Sequence, residues 1–463
     1  MKITTKRKMG RLFGLLTLSI SFLSACQQPD VVESRASSSD VASSSSASSE
    51  SNLRAPLSVT EDGYVIGETK GGLRIDGYRG SEKDLVIPSV IDGKNVVKIG
   101  CAAFIDHTSL TSVTIPNGVT LVDDEAFKGC RSIVSITISN SVAFIGQAAF
   151  SGCASLTSIS IPSGITSIFN DTFYGCSSLV SLSIPSMVDT IGKQAFYGCS
   201  SLTSIEIPSG VDYIRDYAFY GCSALSTVTL HDGLRGIMYS AFEGCSSLAS
   251  ISFPNTLDYI LNYGFRSCSS LTSITLPNSV TDCGTEAFSY CSSLVSARLP
   301  DRMGHVGSNL FSYCTSLTSV TLPSSFDIIF GGTFLGCSSL THVTLPSGQT
   351  YVGDQTFEGC SSLSSIEIPS GVDRIRSRAF KGCSSLEYVI LPSSLWNIDS
   401  MCFYECTSLS SIYYHGTSER WYRIVVESFN DDLVGASLYF YSETEPTVSG
   451  SYWHYVEGVP TRW

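Results

Sequence analysis

Seventeen cysteines and six histidines in 463 residues are the side chains of this chain best suited to chemistry. Thiolates and imidazoles ligate metals, thiols form disulfides, and either group can serve a nucleophilic site. Spacing decides among these. Cys130, Cys153, Cys176, Cys199, Cys222, Cys245, Cys268, Cys291, Cys314, Cys337, Cys360, Cys383 and Cys406 follow one another at intervals of 23 residues without exception. Metal centres gather ligands at short spacing, and only Cys402 with Cys406 comes near that, one of the two belonging to the periodic row. The histidines, at 107, 231, 305, 342, 415 and 454, form no H-E-x-x-H, and neither G-x-S-x-G nor a phosphate-binding Gly-rich loop occurs. No catalytic residues, metal site or cofactor are therefore expected, and the chain reads as a non-enzyme.

The period identifies what must position these thiols. Stepping back once more from Cys130 reaches His107, so a fourteenth unit carries His in the Cys slot. Three residues before each slot stands Phe, from Phe104 to Phe403, and three residues after stands Leu, replaced once by Ile133. Apolar residues follow at the sixth and eighth positions, as in Ile205 and Ile207, and then usually Pro, as in Pro208. The unit is A-F-x-G-C-S-S-L-x-S-I-x-I-P-S-G-V-x-x-I. Its L-x-x-I-x-I stretch alternates with period two and predicts a strand with one face inward. Pro cannot donate to a sheet ladder and ends that strand. Ser-Gly then turns the chain, V-x-x-I predicts a second, shorter extended segment, and A-F-x-G-C suggests a helical or 3₁₀ turn.

A single unit cannot bury its own Phe, Leu and Ile, each worth about 1.5 to 3 kcal/mol when fully covered. Stacking does bury them. About fourteen parallel units at roughly 4.8 Å give a leucine-rich-repeat solenoid on the order of 65 Å long. Residues 58–103 depart from the period, with Pro88 five residues out of register, and residues 415–463 hold three of the four Trp. These two segments predict caps at either end of an array spanning residues 104–414. Within the array the Cys row admits three states: buried free thiols, disulfides between units, or a reactive surface row. Thirteen thiols cannot all pair, and near-identical units would have to lean together in alternation. Buried thiols are expected, although export ordinarily favours disulfides.

The 23-residue unit with LxxIxIP, a returning VxxI and AFxGC resembles the BspA-like leucine-rich repeat family of bacterial surface antigens. The segments YYHGTSERWYRIV, YFYSETEP and YWHYVEGVPTRW are similar to the terminal cap of that family. The likeness covers residues 58–463 and departs from the pattern at His107, Ser139, His231 and His415, where Cys or Pro is missing. It implies display outside the cell and a binding scaffold without catalytic residues, with adhesion to host proteins or other bacteria in some members.

Residues 1–25 agree with export. Lys2, Lys6, Arg7, Lys8 and Arg11 precede the mostly apolar stretch Leu12 to Leu23, which is too short to span a bilayer. Leu23-Ser24-Ala25-Cys26 resembles the lipobox of bacterial lipoproteins, which implies a lipid on Cys26 and attachment to the membrane through it. Residues 26–57 are Ser-rich and read as a disordered tether. Cleavage before Cys26 removes five of the 28 basic residues and leaves 23 against 41 acidic ones, a net charge of about −18. A surface that acidic repels phosphate backbones and excludes nucleic acid as partner.

Partner contacts must then come from outward slots. On the strand these are the fifth and seventh after the Cys, and they are mostly Ser or Thr. Glu206, Arg298, His342, Glu367, Tyr388 and Tyr413 are the exceptions. Tyr174, Tyr197 and Tyr220 fill one slot of three successive units and form either a contact surface for a partner or a cover over the Phe row. Asp189, Asp212, Asp258, Asp327 and Asp373 make a further row, which attracts basic ligands or keeps the array soluble. The chain is expected to be a surface lipoprotein that binds a host or bacterial surface protein or glycan. The alternative is a spacer or displayed antigen without a dedicated ligand. The anchor is directly testable: Cys26→Ala protein should leave the membrane fraction, and quantitative retention there would place the anchor elsewhere.

Overall fold

The computed structural model describes residues 57–324 and 331–463. The expected signal peptide (1–25), Cys26, the expected tether as far as residue 56 and Asp327 lie outside the described residues. From residue 56 onward the chain is one unit, a parallel β-solenoid of about 16 turns.

Alternation of burial drives the main ladder. In the strand Ser204–Glu206 the two ends face solvent and Ile205 is buried, and Ile207 turns in beyond it. Within each sheet a strand pairs in parallel with the next at an offset of one unit, as Ser135 opposite Ser158, Ser158 opposite Ser181 and Ser204 opposite Thr227, with the ladder interrupted at residues 250–252 and 342–344. A one-residue slip would turn every Ile outward, so the register is tightly held. The V-x-x-I segments form the expected second ladder of two-residue strands, such as Tyr213–Ile214 against Gly236–Ile237. Between the ladders Pro208 accepts the Val211 N–H at 3.0 Å, closing the Pro-Ser-Gly-Val turn. The same turn forms on Ser139 and His231, so losing Pro costs the fold little.

The helical or 3₁₀ turn expected through A-F-x-G-C forms as single i→i+3 turns, with Lys128 donating to Glu125 and Cys130 to Phe127, and not as a helix. Two residues per unit have left-handed backbones: the one before Ala-Phe, as in Glu125 (φ 58°), and the one before Cys, as in Gly129 (φ 73°). A left-handed residue breaks a helix, and here it swings alternate N–H groups toward the next unit. Glu125, Phe127 and Gly129 donate to the carbonyls of Gln147, Ala149 and Ser151 at 2.7 to 2.8 Å. The segment is thus a third inter-unit ladder. Gly suits the slot before Cys through its positive φ; a Cβ on Gly152 would meet Gly129 only at an ordinary contact distance of 3.5 Å.

The core is a column of Phe rings. From Phe104 to Phe403 each is fully buried, and successive rings stack with centroids 4.9 to 6.1 Å apart. Leu, Ile, Val and Cys fill the space around them in one continuous apolar cluster.

Both ends close by leaving the 23-residue period while keeping the pairing. At the N-terminal end Gly72–Tyr78 pairs antiparallel with Tyr64–Thr69 and parallel with Lys94–Ile99. Asp84–Val86 joins the main ladder with Asp84 opposite Ser112, so the surplus five residues form the hairpin Val90–Ile91 with Lys94–Ile99. His107 occupies the first Cys slot beside the Tyr78 ring, 5.3 Å away, with Nε2 at 3.4 Å from the Gly80 carbonyl. At the other end Ser437–Tyr441 adds a strand to Ser411–Tyr414, followed by the hairpin Tyr452–Val456 and Val459–Arg462. Trp453 is fully buried there and donates its indole N–H to the Tyr414 carbonyl at 3.2 Å.

The Phe column makes a stability prediction. Phe242→Ala in mid-array should cost about 3 to 5 kcal/mol and, through its stacked neighbours Phe219 and Phe265, spread into adjacent turns. Denaturant melts followed by hydrogen exchange will read both effects, and an unchanged melt would refute a supporting role for the ring.

Candidate functional site

The thirteen periodic cysteines are buried and unpaired. Each thiol donates to the carbonyl oxygen of the Phe in the preceding unit, as Cys153 to Phe127 at 3.3 Å and Cys383 to Phe357 at 3.2 Å. Burial pushes the thiols of Cys176, Cys222 and Cys291 up from about 9 to about 12, although their backbone contacts favour ionisation. Thiols so held are protonated, poor nucleophiles and structural donors. Cys283 and Cys402 are buried too, outside the periodic row. Among the described residues no group of three or more His, Cys, Asp or Glu side chains is arranged to hold a metal ion.

Tyr174, Tyr197 and Tyr220 form a ladder of stacked rings, each 4.7 Å from the next and within 10° of parallel. They stack on one another, alongside the separate column of Phe rings. Both faces of Tyr197 are therefore taken, and what the ladder offers a partner is ring edges and a row of hydroxyls.

The strand-face exceptions divide into two groups. Glu206 and Arg298 are exposed and stand far apart along the array. Glu206 already has a partner, since the Nε2 of His231 in the next unit lies 3.1 Å from its Oε1. The remaining four gather at the C-terminal end. His342 and Glu367 line a cleft of about 630 Å³, with His415, Tyr455, Pro369 and Pro392 among its other walls. Tyr388 is half-buried beside it, edge-on to Tyr413 at 5.5 Å. Tyr413 corrects an expectation. It occupies an outward strand slot, yet it is buried, because the terminal hairpin lays Trp453 over that face with ring centroids 5.3 Å apart. It packs with Trp453, Tyr388 and Tyr439 and is withdrawn as a contact residue.

A hydrogen-bonded relay crosses the cleft. The Tyr455 hydroxyl donates to Glu367 Oε1 at 3.1 Å, and the Nε2 of His415 lies 3.3 Å from the same hydroxyl. A phenol has one proton to give, so the imidazole N–H must donate to the phenol oxygen. Burial among the rings of Tyr441, Trp453 and Tyr455 pulls the His415 imidazole below its usual range, against the opposing charge of Glu367. His415 was visible in the sequence as a missing Pro. Tyr455 was not, because it lies in the cap, where no period assigns it a slot.

Comparison with known proteins bears on this arrangement of repeats and caps. The family described as BspA type Leucine rich repeat region (6 copies) matches residues 97–224, 189–318 and 305–430. This chain belongs to the BspA-type leucine-rich repeat family. A leucine-rich repeat protein of Bacteroides ovatus of known structure is 31% identical, with a TM-score of 0.64, over 82% of this chain and 99% of that one. A leucine rich cell surface protein of Faecalibacterium prausnitzii is 28% identical, covering 81% of this chain and 99% of that one, with a TM-score of 0.46. No curated protein matches. The BspA-type family is one of bacterial leucine-rich repeat surface proteins, which accords with a site built from surface side chains on a repeated scaffold.

The thiol ladder of this BspA-type array carries its own prediction. A thiol that ionises near 9 when unfolded and about 12 when folded favours the folded state below 9, and that contribution fades as pH rises toward 12. Alkaline unfolding should therefore set in above pH 9, with thiolate absorbance and loss of β-structure appearing together. At neutral pH thiol labelling should be slow in native protein and fast in denaturant. Rapid native labelling, or a mass deficit from several disulfides, would overturn the assignment.

Proposed function

We propose that this chain is a lipid-anchored surface protein of a bacterium and a non-catalytic binding module, an adhesin that engages a host or bacterial surface macromolecule. Family membership supports the scaffold and its bacterial surface setting. The observation that favours binding over a bare spacer is the cleft at the C-terminal end. A spacer needs only the repeated inward slots, whereas His342, Glu367, His415 and Tyr455 break the repeat and meet at one concave place. Concavity with a few convergent polar groups is the usual form of a recognition site. The Ser/Thr strand face and the Tyr174–Tyr197–Tyr220 hydroxyl row extend the surface available to a large partner. Lipid attachment through Cys26, with residues 26–57 as tether, would present that surface away from the membrane.

The mature ectodomain, immobilised and challenged with matrix proteins, mucin and neighbouring bacterial cells, should retain one of them saturably. The triple variant Tyr174→Ser, Tyr197→Ser, Tyr220→Ser should bind less while melting like the parent. Lost stability with retained binding would make the Tyr ladder structural, and absence of any saturable partner would leave the spacer reading.

A further inference from the structure

The C-terminal cleft has the makings of a pocket for one long cationic side chain. Its walls are mixed: Val343, Leu345 and Ile368 are buried beneath it and Pro369 and Pro392 line it, among one Thr and three Ser residues. Glu367 is the acidic residue among those lining it. Its Oε1 is fixed by the Tyr455 hydroxyl, while Oε2 has no hydrogen bond among the described residues. No Lys or Arg is among the residues lining the cleft. His415 spends its Nε2–H on the Tyr455 oxygen and so brings no proton to the carboxylate.

The pair Glu206 and His231 makes the contrast. Glu206 occupies the same slot of its unit as Glu367, and His231 the same slot as His415. There the imidazole lies directly against the carboxylate at 3.1 Å. At the C-terminal end the two groups stand two units apart, with Pro392 in the same slot of the unit between, and the Tyr455 hydroxyl bridges them, accepting from His415 and donating to Glu367 Oε1. A cleft that offers Val, Leu, Ile and Pro surface beside one carboxylate suits the amphipathic build of Lys and Arg, whose methylene stems pack on apolar surface while the charged head reaches a partner. The acidity of the whole chain steers such a ligand inward.

We propose that this cleft is the anchor pocket for a basic side chain, Lys or Arg, of a polypeptide partner, with Glu367 as its counter-charge and Tyr455 as the residue that positions Glu367. The proposal rests on the reading of this chain as a binding module and names the chemistry of its partner at that site.

The test uses the full mature ectodomain and a matched pair of peptides, acetyl-Ala-Ala-Lys-Ala-Ala-amide and the same peptide with norleucine for lysine, titrated by calorimetry or ligand-observed NMR. The lysine peptide should bind in the cleft, norleucine should bind at least about tenfold more weakly, and added salt should weaken the lysine peptide alone. Glu367→Gln keeps an acceptor for Tyr455 and should lose the lysine preference with an unchanged melt. Tyr455→Phe should weaken the preference by less. Equal binding of the two peptides, a preference that survives Glu367→Gln, or no binding of the lysine peptide at millimolar concentration overturns the proposal. So does a neutral chitin oligosaccharide that binds the cleft where the lysine peptide does not. The two levels fail separately. An ectodomain that captures a macromolecule equally well with Glu367→Gln keeps the adhesin reading and loses this pocket, whereas a lysine preference without any saturable macromolecule does the reverse.

Discussion

Everything in this molecule depends on one stack of aromatic rings held in register by parallel pairing. Strands in a parallel sheet stand about 4.8 Å apart, and Phe rings nearly parallel to one another and offset fit that rise, as the 5.2 Å separation of Phe196 and Phe219 shows. A unit one residue longer or shorter would displace its Phe from the column and its Ile from the core together. This is why the spacing holds through the whole Cys row while the outward positions vary. Stability in such an array is a sum of units and nearest-neighbour contacts, so every turn must supply its own Phe.

The Cys row follows from the same column. Turning the chain beside a Phe leaves the Phe carbonyl inside the core, where it accepts one N–H from its own unit, as Phe127 does from Cys130 at 3.3 Å. The thiol of the next unit supplies a second, weak donor, as Cys153 does to the same oxygen. Cys is suited to this place because it is small, tolerates full burial and still carries a hydrogen to donate. Ala would leave the carbonyl its single partner, and Ser would bring a more strongly hydrated hydroxyl into an apolar column. The same burial keeps the thiols from disulfide exchange, because the thiolate that attacks is the form burial disfavours.

What was legible in the sequence is what repeats. The Phe, Leu, Ile and Cys slots identify themselves because each recurs under the same constraint, and all of them face inward as their spacing implies. That A-F-x-G-C turns without becoming a helix was not legible, because left-handed backbone is a property of φ, and residues as different as Glu125, Tyr217 and Arg378 adopt it. Composition carries no mark of it there, although Gly in the slot before Cys was a clue. Tyr413 was placed on the outer face correctly and its exposure wrongly, since the hairpin that covers it lies beyond the periodic region. His342 and Glu367 were singled out by type and slot, but their convergence with His415 and Tyr455 is a tertiary fact that no period encodes.

Function in a solenoid has to be written where the repeat is broken, because inward slots are fixed by the column and outward ones are copied with it. The Pro slot shows how this works. In most units Pro ends the strand and closes the following turn, but Val142 and Leu234 still donate to the carbonyls of Ser139 and His231, so the turn needs the backbone and not the ring. A side chain substituted there gains reach at the strand end without loss of the fold. Ser139, His231 and His415 each line a cleft along that rim. Ser139 makes a shallow trough of hydroxyls and amides, and His231 covers its neighbouring Glu206. Of the three, His415 alone meets a second break in periodicity, the terminal hairpin, whose Tyr455 bridges it to the carboxylate of Glu367 two units back. Two departures must coincide to make a recognition site on such a surface, and the end of the array is where a cap can supply the second.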